Sequence, residues 1–249
     1  MRDPEYPDPS EFRYDESRLN LAHASSLTFD ENYRLAQLPL VSPGHPLAID
    51  HLPGQDYQSG RYEQARHSLV APVSASDLES AGPYVAFARD VATSSFGGKI
   101  SEELAKLRSD RLHVTIAGGL RAQDILRQAE DVKKFLRGRE AFNIRVLGPF
   151  LGSKNRGRIY LPVVPERILG EQAFGLLQKV LGLPVSGFYA IGLLNFNDEL
   201  DQAQTRDLHR VMEKWRHKIL AEVRVSHLQM MATNDDLALS GRSVIDIFL

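Results

Sequence analysis

"RLHVTIAGGL", residues 111–120, interleaves His113 and Thr115 with Leu112, Val114 and Ile116. Side chains two apart on a strand share a face. The spacing therefore predicts a strand that turns His113 and Thr115 to one side and the three aliphatic residues to a core. Gly118 and Gly119 end the run. An imidazole that exchanges a proton near neutral pH, beside a hydroxyl that donates a hydrogen bond, suits a phosphoryl group.

Regular patterns extend in both directions from this strand. "PYVAFARDV" (83–91) reads as a strand, and "ISEELAKL" (100–107) as a short helix with Ile100, Leu104 and Leu107 on one face. After the motif, "AQDILRQAEDVKKFLRG" (122–138) is a helix with a stripe of Ile125, Ala129, Val132 and Leu136, stopped at Gly138. "FNIRVLGPFLG" and "RIYLPVV" read as a hairpin around the turn "SKNRG" (153–157). A similar order then recurs. "EQAFGLLQKVLG" is a helix with Phe174, Leu177 and Leu181 aligned, and "GFYAIGLLNF" (187–196) is a strand. "TRDLHRVMEKWRHKI" is a helix with a stripe of Leu208, Val211, Met212, Trp215 and Ile219, and "EVRVSHLQMMA" with "RSVIDIFL" makes a closing hairpin around "TNDDLALSG". The repeat lies in the order strand–helix–hairpin, not in identity. It predicts an α+β fold: two pseudo-symmetric lobes with antiparallel sheets around a central groove, helices outside, over residues 81–249. Residues 1–80 are dense in turn formers ("PEYPDPS", "LVSPGHPLAIDHLPGQDYQSG") and read as an irregular arm lying against the body, with one short helix around Tyr62–Leu69.

The totals exclude several classes. The chain has 249 residues, 43% hydrophobic and 25% charged, enough for a substantial core. The formal net charge of −2 gives no strong global field, so nucleic-acid contact would rest on a local basic patch. There is no cysteine, which removes disulfides, thiolate metal sites and a cysteine nucleophile. "MRDPEYPDPSEF" lacks the basic and apolar regions of a signal peptide, and no stretch reaches the roughly 18 apolar residues of a membrane span. A cytoplasmic protein without membrane contact is the expectation. No cofactor or metal is expected: His45, Asp50 and His51 match no ligand spacing, and "IAGGL" has neither G-x-G-x-x-G nor a following Lys-Ser/Thr.

His113-Val114-Thr115-Ile116, in this order of elements, resembles the H-x-T-x motif of the two-histidine (2H) phosphoesterase superfamily, which includes RNA 2′,3′-cyclic phosphodiesterases. The resemblance covers roughly residues 83–249. It implies a bilobal fold in which each lobe gives one H-x-[ST]-x strand to the groove. It also implies metal-independent opening of a cyclic phosphodiester, one histidine serving as base for water and the other as acid for the leaving oxygen. The implied partner is a nucleotide or an RNA terminal phosphate. On this resemblance His113 is the acid or base and Thr115 the phosphate donor.

The second motif departs from the pattern. Aligning Ile191-Gly192 with Ile116-Ala117 puts Phe188 and Ala190 where the second His and Thr belong; a shift by one puts Tyr189 and Ile191 there. Tyr189 and His227 are the substitutes on offer. Tyr189 has an unfavourable ordinary pKa near 10. His227 stands in "SHLQMM", the counterpart of "FNIRVLG" rather than of the motif strand. For substrate binding, Lys154 in the "GSKNRGR" turn, then Arg158 and Tyr160 on the outgoing strand, are candidates at the groove rim, and Phe188 would stack a base. The basic residues of "RDLHRVMEKWRHK" read as a solvated helix face. Three readings remain open: a cyclic phosphodiesterase, a catalytically impaired nucleotide- or RNA-binding or regulatory module, and a protein whose 1–80 arm covers the groove and works through partner contacts.

Overall fold

Val114 and Ile116 are buried and Thr115 is exposed, so the alternation read at residues 112–116 persists in three dimensions. The structure is a computed structural model that describes residues 3–22 and 25–249. Its centre is one nine-stranded sheet. In chain order the strands are β1 Arg66–Pro72, β2 His113–Leu120, β3 Phe142–Leu147, β4 Phe150–Leu151, β5 Arg158–Pro165, β6 Ala190–Asn195, β7 Ile219–Val225, β8 His227–Thr233 and β9 Arg242–Phe248. Across the sheet they run β7-β3-β5-β6-β2-β1-β8-β9, with β4 also paired to β5, and every pairing is antiparallel. The two sheets expected from the sequence are thus one continuous sheet.

Six helices of six residues or more accompany it: α1 Asn32–Val41, α2 Gly82–Ala92, α3 Glu102–Leu107, α4 Ile125–Leu136, α5 Ala173–Val180 and α6 Gln202–Trp215. The stripes of α4 and, as far as Trp215, of α6 are buried; Leu107 of α3 is 63% exposed, Leu181 lies half-buried just past α5, and Ile219 is 43% exposed at the start of β7. The α4 stripe is Ile125, Ala129, Val132 and Leu136, and Gly138, at φ 74°, takes the left-handed position that ends the helix. Asp201 starts α6 with a reciprocal cap: its carboxylate accepts from Gln204 N at 2.9 Å, and Gln204 Oε1 accepts from Asp201 N at 3.1 Å. No helix among the described residues is long and apolar enough to cross a membrane.

Three local readings change. "PYVAFARDV" is not a strand but most of α2. Pro83 in its first turn is compatible with a helix start, and Phe87 and Val91, four apart, bury one face, Phe87 meeting Trp215 edge-on at 6.1 Å. The short helix placed at Tyr62–Leu69 is instead strand β1, which lies between β2 and β8 in the interior of the sheet. The irregular arm therefore ends near residue 65 rather than 80. "EVRVSHLQMMA" is two strands broken at Ser226: β7 at one edge of the strand order and β8 next to the other. One residue joins them, so the sheet curls until these two strands meet.

The arm is built into the body. Phe12 and Tyr14 are buried against Tyr189, with Phe12 and Tyr189 ring centroids 6.0 Å apart, and Tyr14 Oη donates to Val163 O at 2.6 Å. Leu27 and Leu200 exchange backbone hydrogen bonds of 3.0 and 3.1 Å. Phe29, Leu38 and the inward residues of β2, β5 and β6 belong to the same apolar core.

Candidate functional site

The two central strands meet at Val114 and Ile191, which lie opposite one another. Both are buried. By strand alternation the residues flanking them face the other way, and His113 and Thr115 on β2 and Ala190 and Gly192 on β6 line a cavity of about 520 Å³. This register differs from the sequence alignment. Ala190 and Gly192, not Phe188 and Ala190, are the β6 positions that flank the central pair as His113 and Thr115 do on β2. Neither has a titratable or donor side chain.

His113 is half-buried. Its Nδ1 lies 2.9 Å from Arg111 O, which fixes Nδ1–H as donor and leaves Nε2 as an acceptor. Burial pushes its pKa down to about 4 from an ordinary 6.5; the Arg111 carbonyl opposes this, and the Arg108 and Arg158 guanidinium groups add to it. The imidazole is therefore neutral at pH 7. Thr115 leaves its hydroxyl exposed on the same floor.

Arg158, the candidate at the groove rim, stands beside them together with a second arginine, Arg108, that no sequence pattern marks. Arg108, just past α3, is 2% exposed, and its guanidinium donates to Leu237 O at 2.9 Å, Leu193 O at 3.3 Å and Gly192 O at 2.7 Å. Arg158, at the start of β5, is 8% exposed and donates to Gly192 O and Asp236 O, both at 3.2 Å. Its Nε has no partner. A Cβ built on Gly192 would overlap this guanidinium, so only glycine leaves room for Arg158 over the central strand. Both guanidiniums donate to neutral carbonyls. Asp236 is the carboxylate on the cavity wall; burial raises its pKa, and Tyr62 Oη donates to each of its oxygens at 3.1 Å. Behind Arg158, Arg34 is fully buried on the Phe29 ring at 4.5 Å; burial first, then Arg158, pushes its pKa down to about 10.

The other expected residues fall as follows. Tyr160 and Phe188 line the cavity; Tyr160 stacks on Phe150 at 5.4 Å, and Phe188 meets the Phe150 ring edge-on at 6.1 Å. Tyr189 is not in the groove. It is fully buried, its hydroxyl donates to Gln178 Oε1 at 2.8 Å, and burial pushes its pKa up to about 12. Its strand face points into the core, which removes it as the second acid. His227 lines a neighbouring hollow of about 550 Å³ that also touches His113, and its ring stacks on Phe248 at 5.9 Å. Lys154 is exposed in an adjoining depression with Tyr160 and Phe188 rather than in the cavity itself. Arg156 of the same turn is bound to Asp30 at 2.8 Å and Glu31 at 2.6 Å, so the tip is tied to the arm.

Arg108 and Asp236 escaped the sequence reading because nothing local marks them: one sits in "LRSDR", the other in a loop taken for a hairpin turn. Gln178 escaped as one polar residue on an apolar helix. It is buried, and its amide donates to Ile116 O at 2.6 Å and accepts from Ser186 N at 3.0 Å, holding the cavity wall against β2. Among the described residues no group of three or more His, Cys, Asp or Glu side chains is placed to hold a metal ion. No protein-family model matches the chain, and no curated protein matches it.

Proposed function

We propose that the chain binds the phosphate of a nucleotide or RNA end in this cavity, on a scaffold related to the 2H phosphoesterases, and lacks the second acid–base group that hydrolysis requires. Support for the scaffold comes from strand order. Either side of the β2–β6 pair lie three further strands, β1-β8-β9 and β5-β3-β7, and each central strand is followed in the chain by a helix or capped turn leading to the outer layer. In a pseudo-twofold arrangement His113-x-Thr115 is matched by Ala190-x-Gly192.

One observation carries the binding reading: the Arg158 guanidinium lies over Gly192, and Arg158 lines a cavity that also holds His113 and Thr115. A cation takes the place where the second motif would supply a hydroxyl. A guanidinium charge and a threonine hydroxyl suit a phosphoryl group. Losing one of two acid–base groups removes about 10²–10⁴-fold of rate.

The hydrolase reading is favoured by a different feature, the neutral His113 with Nε2 free to accept a proton from water. The two separate in one experiment. Adenosine 2′,3′-cyclic phosphate is incubated with the protein and with His113→Ala, with and without chelator, while binding of adenosine monophosphates is followed by calorimetry. Expected are saturable binding, weakened about tenfold or more in Arg158→Gln for a lost charged hydrogen bond of about 1.5–3 kcal/mol, and no turnover. Turnover that survives the chelator and disappears in His113→Ala overturns the proposal in favour of the hydrolase.

A further inference from the structure

We infer that the cavity selects a phosphate monoester terminus over a cyclic phosphodiester. The inference rests on the phosphate-binding reading above and narrows its ligand. One feature of the site carries the choice, a proton that only the monoester can supply; the buried cations draw either anion.

The charge comes from Arg108 and Arg158, 2% and 8% exposed. They donate to the carbonyls of Gly192, Leu193, Asp236 and Leu237. A carbonyl satisfies a donor without cancelling the charge; the buried carboxylates that act on the two cations are Asp235, on Arg108, and Asp236 of the cavity wall, on Arg158. Burial is costly for a cation until a counter-ion arrives. A monoester brings about −1.5 to −2 charges at neutral pH; a cyclic diester brings one. Once the monoester holds a proton toward His113 it carries about one charge, as the cyclic diester does, so the guanidiniums alone do not choose between them.

The proton comes from the ligand. Because Nδ1–H of His113 is committed to Arg111 O, the ring offers the cavity an acceptor, Nε2. An acceptor facing an anion repels it unless a hydrogen lies between them. A monoester has a last ionisable proton, with pKa near 6, that can sit between a phosphate oxygen and Nε2. A cyclic diester has no such proton. The bound monoester therefore holds one proton on that line, and its binding above pH 6 takes a proton from solution. The charged groups facing the ring are Arg108, Arg158 and Asp236 on the cavity side and Asp110 and Arg111 on its own strand's approach. Across the neighbouring hollow stand Asp77, Arg224, His227 and Arg242. Burial first, then the Arg108 and Arg158 guanidiniums, keeps the ring neutral before the ligand arrives.

The test compares ligands on the intact chain. Calorimetry at pH 7 measures adenosine 2′-monophosphate, adenosine 3′-monophosphate and adenosine 2′,3′-cyclic phosphate. Inorganic phosphate and short oligonucleotides ending in a 3′-phosphate or a 3′-hydroxyl are further arms, which distinguish a free phosphate, a nucleotide and an RNA end as its source. The expected result is monoester binding about tenfold tighter than the cyclic diester, and the 3′-phosphate end tighter than the 3′-hydroxyl end. At pH 8, repetition in two buffers of different ionisation enthalpy is expected to show uptake of close to one proton with the monoester and none with the cyclic diester. His113→Gln should lose both the uptake and the monoester's advantage, whereas Arg158→Lys should weaken the monoester and the cyclic diester alike. The ligand comparison needs no variant, so a misfolded substitution leaves it intact. A cyclic diester that binds as tightly as the monoesters overturns the inference and leaves the phosphate site standing. Failure of every phosphate ligand to bind overturns the phosphate site itself.

Discussion

Gly192 and Arg158 share one space, and that sharing separates this groove from one built of two histidine strands. A side chain at 192 overlaps the guanidinium, which is 8% exposed and has little room to withdraw. Gly192→Thr, which would restore a hydroxyl at that position, should therefore destabilise the fold by about 1–3 kcal/mol through overpacking. Arg158→Ala should relieve part of that cost, so denaturant titrations of the two single variants and the double variant should give a non-additive cycle. His113 has a separate signature. Its folded pKa, about 4, lies below the ordinary 6.5 of an unfolded chain. Between those values the unfolded chain binds more protons, so this residue's contribution to stability is lost as pH falls from about 6.5 to about 4, and is flat below. Thermal melts of the protein and of His113→Gln across that range should converge on acidification; parallel curves would show that the ring titrates normally.

At the level of elements, β2 carries the chemistry and α5 holds it in place. Gln178 on α5 reaches Ile116 O on β2, Ser186 N on the cavity wall and Tyr189 Oη beside β6. Gln178→Leu would leave these three groups buried without partners, at a cost of about 2–4 kcal/mol. The expected readout is a lowered unfolding midpoint together with weakened ligand binding, since the wall at Ser186 and Phe188 loses its anchor. The legible elements were those with long periodic stripes, α4 and α6, and the strand with strict alternation, β2. The misread ones were short and apolar. α2 carries Tyr84, Val85, Phe87 and Val91, which favour strands in isolation. Phe87 and Val91 close against β7 and α6 only in the folded chain. β1, with "HSLVAP", is a buried strand whose apolar run has no alternation to reveal it.

At the scale of the whole molecule, the sheet is a single curled body whose ends are tied by Ser226, and β1 completes it from the N-terminal side. A chain that begins at residue 83 keeps the motif, every other sheet strand and all the helices after α1. It should nonetheless fail to fold, because β2 and β8 would each lose an interior neighbour. Circular dichroism and proteolysis of that fragment check this; a cooperative melt matching the full chain would contradict it. The sequence by itself determined the α+β class, the face on which His113 and Thr115 stand, and the lack of a second H-x-T, because strand alternation and helix stripes are set by local spacing. Only the tertiary structure decided which β6 residues flank the central pair and that Tyr189 belongs to the core. It alone brought Arg108, Arg158 and Asp236, from three distant segments, around one cavity. Strand register across the β2–β6 pair and the burial of a guanidinium depend on contacts between residues far apart in the chain, and no local pattern encodes them.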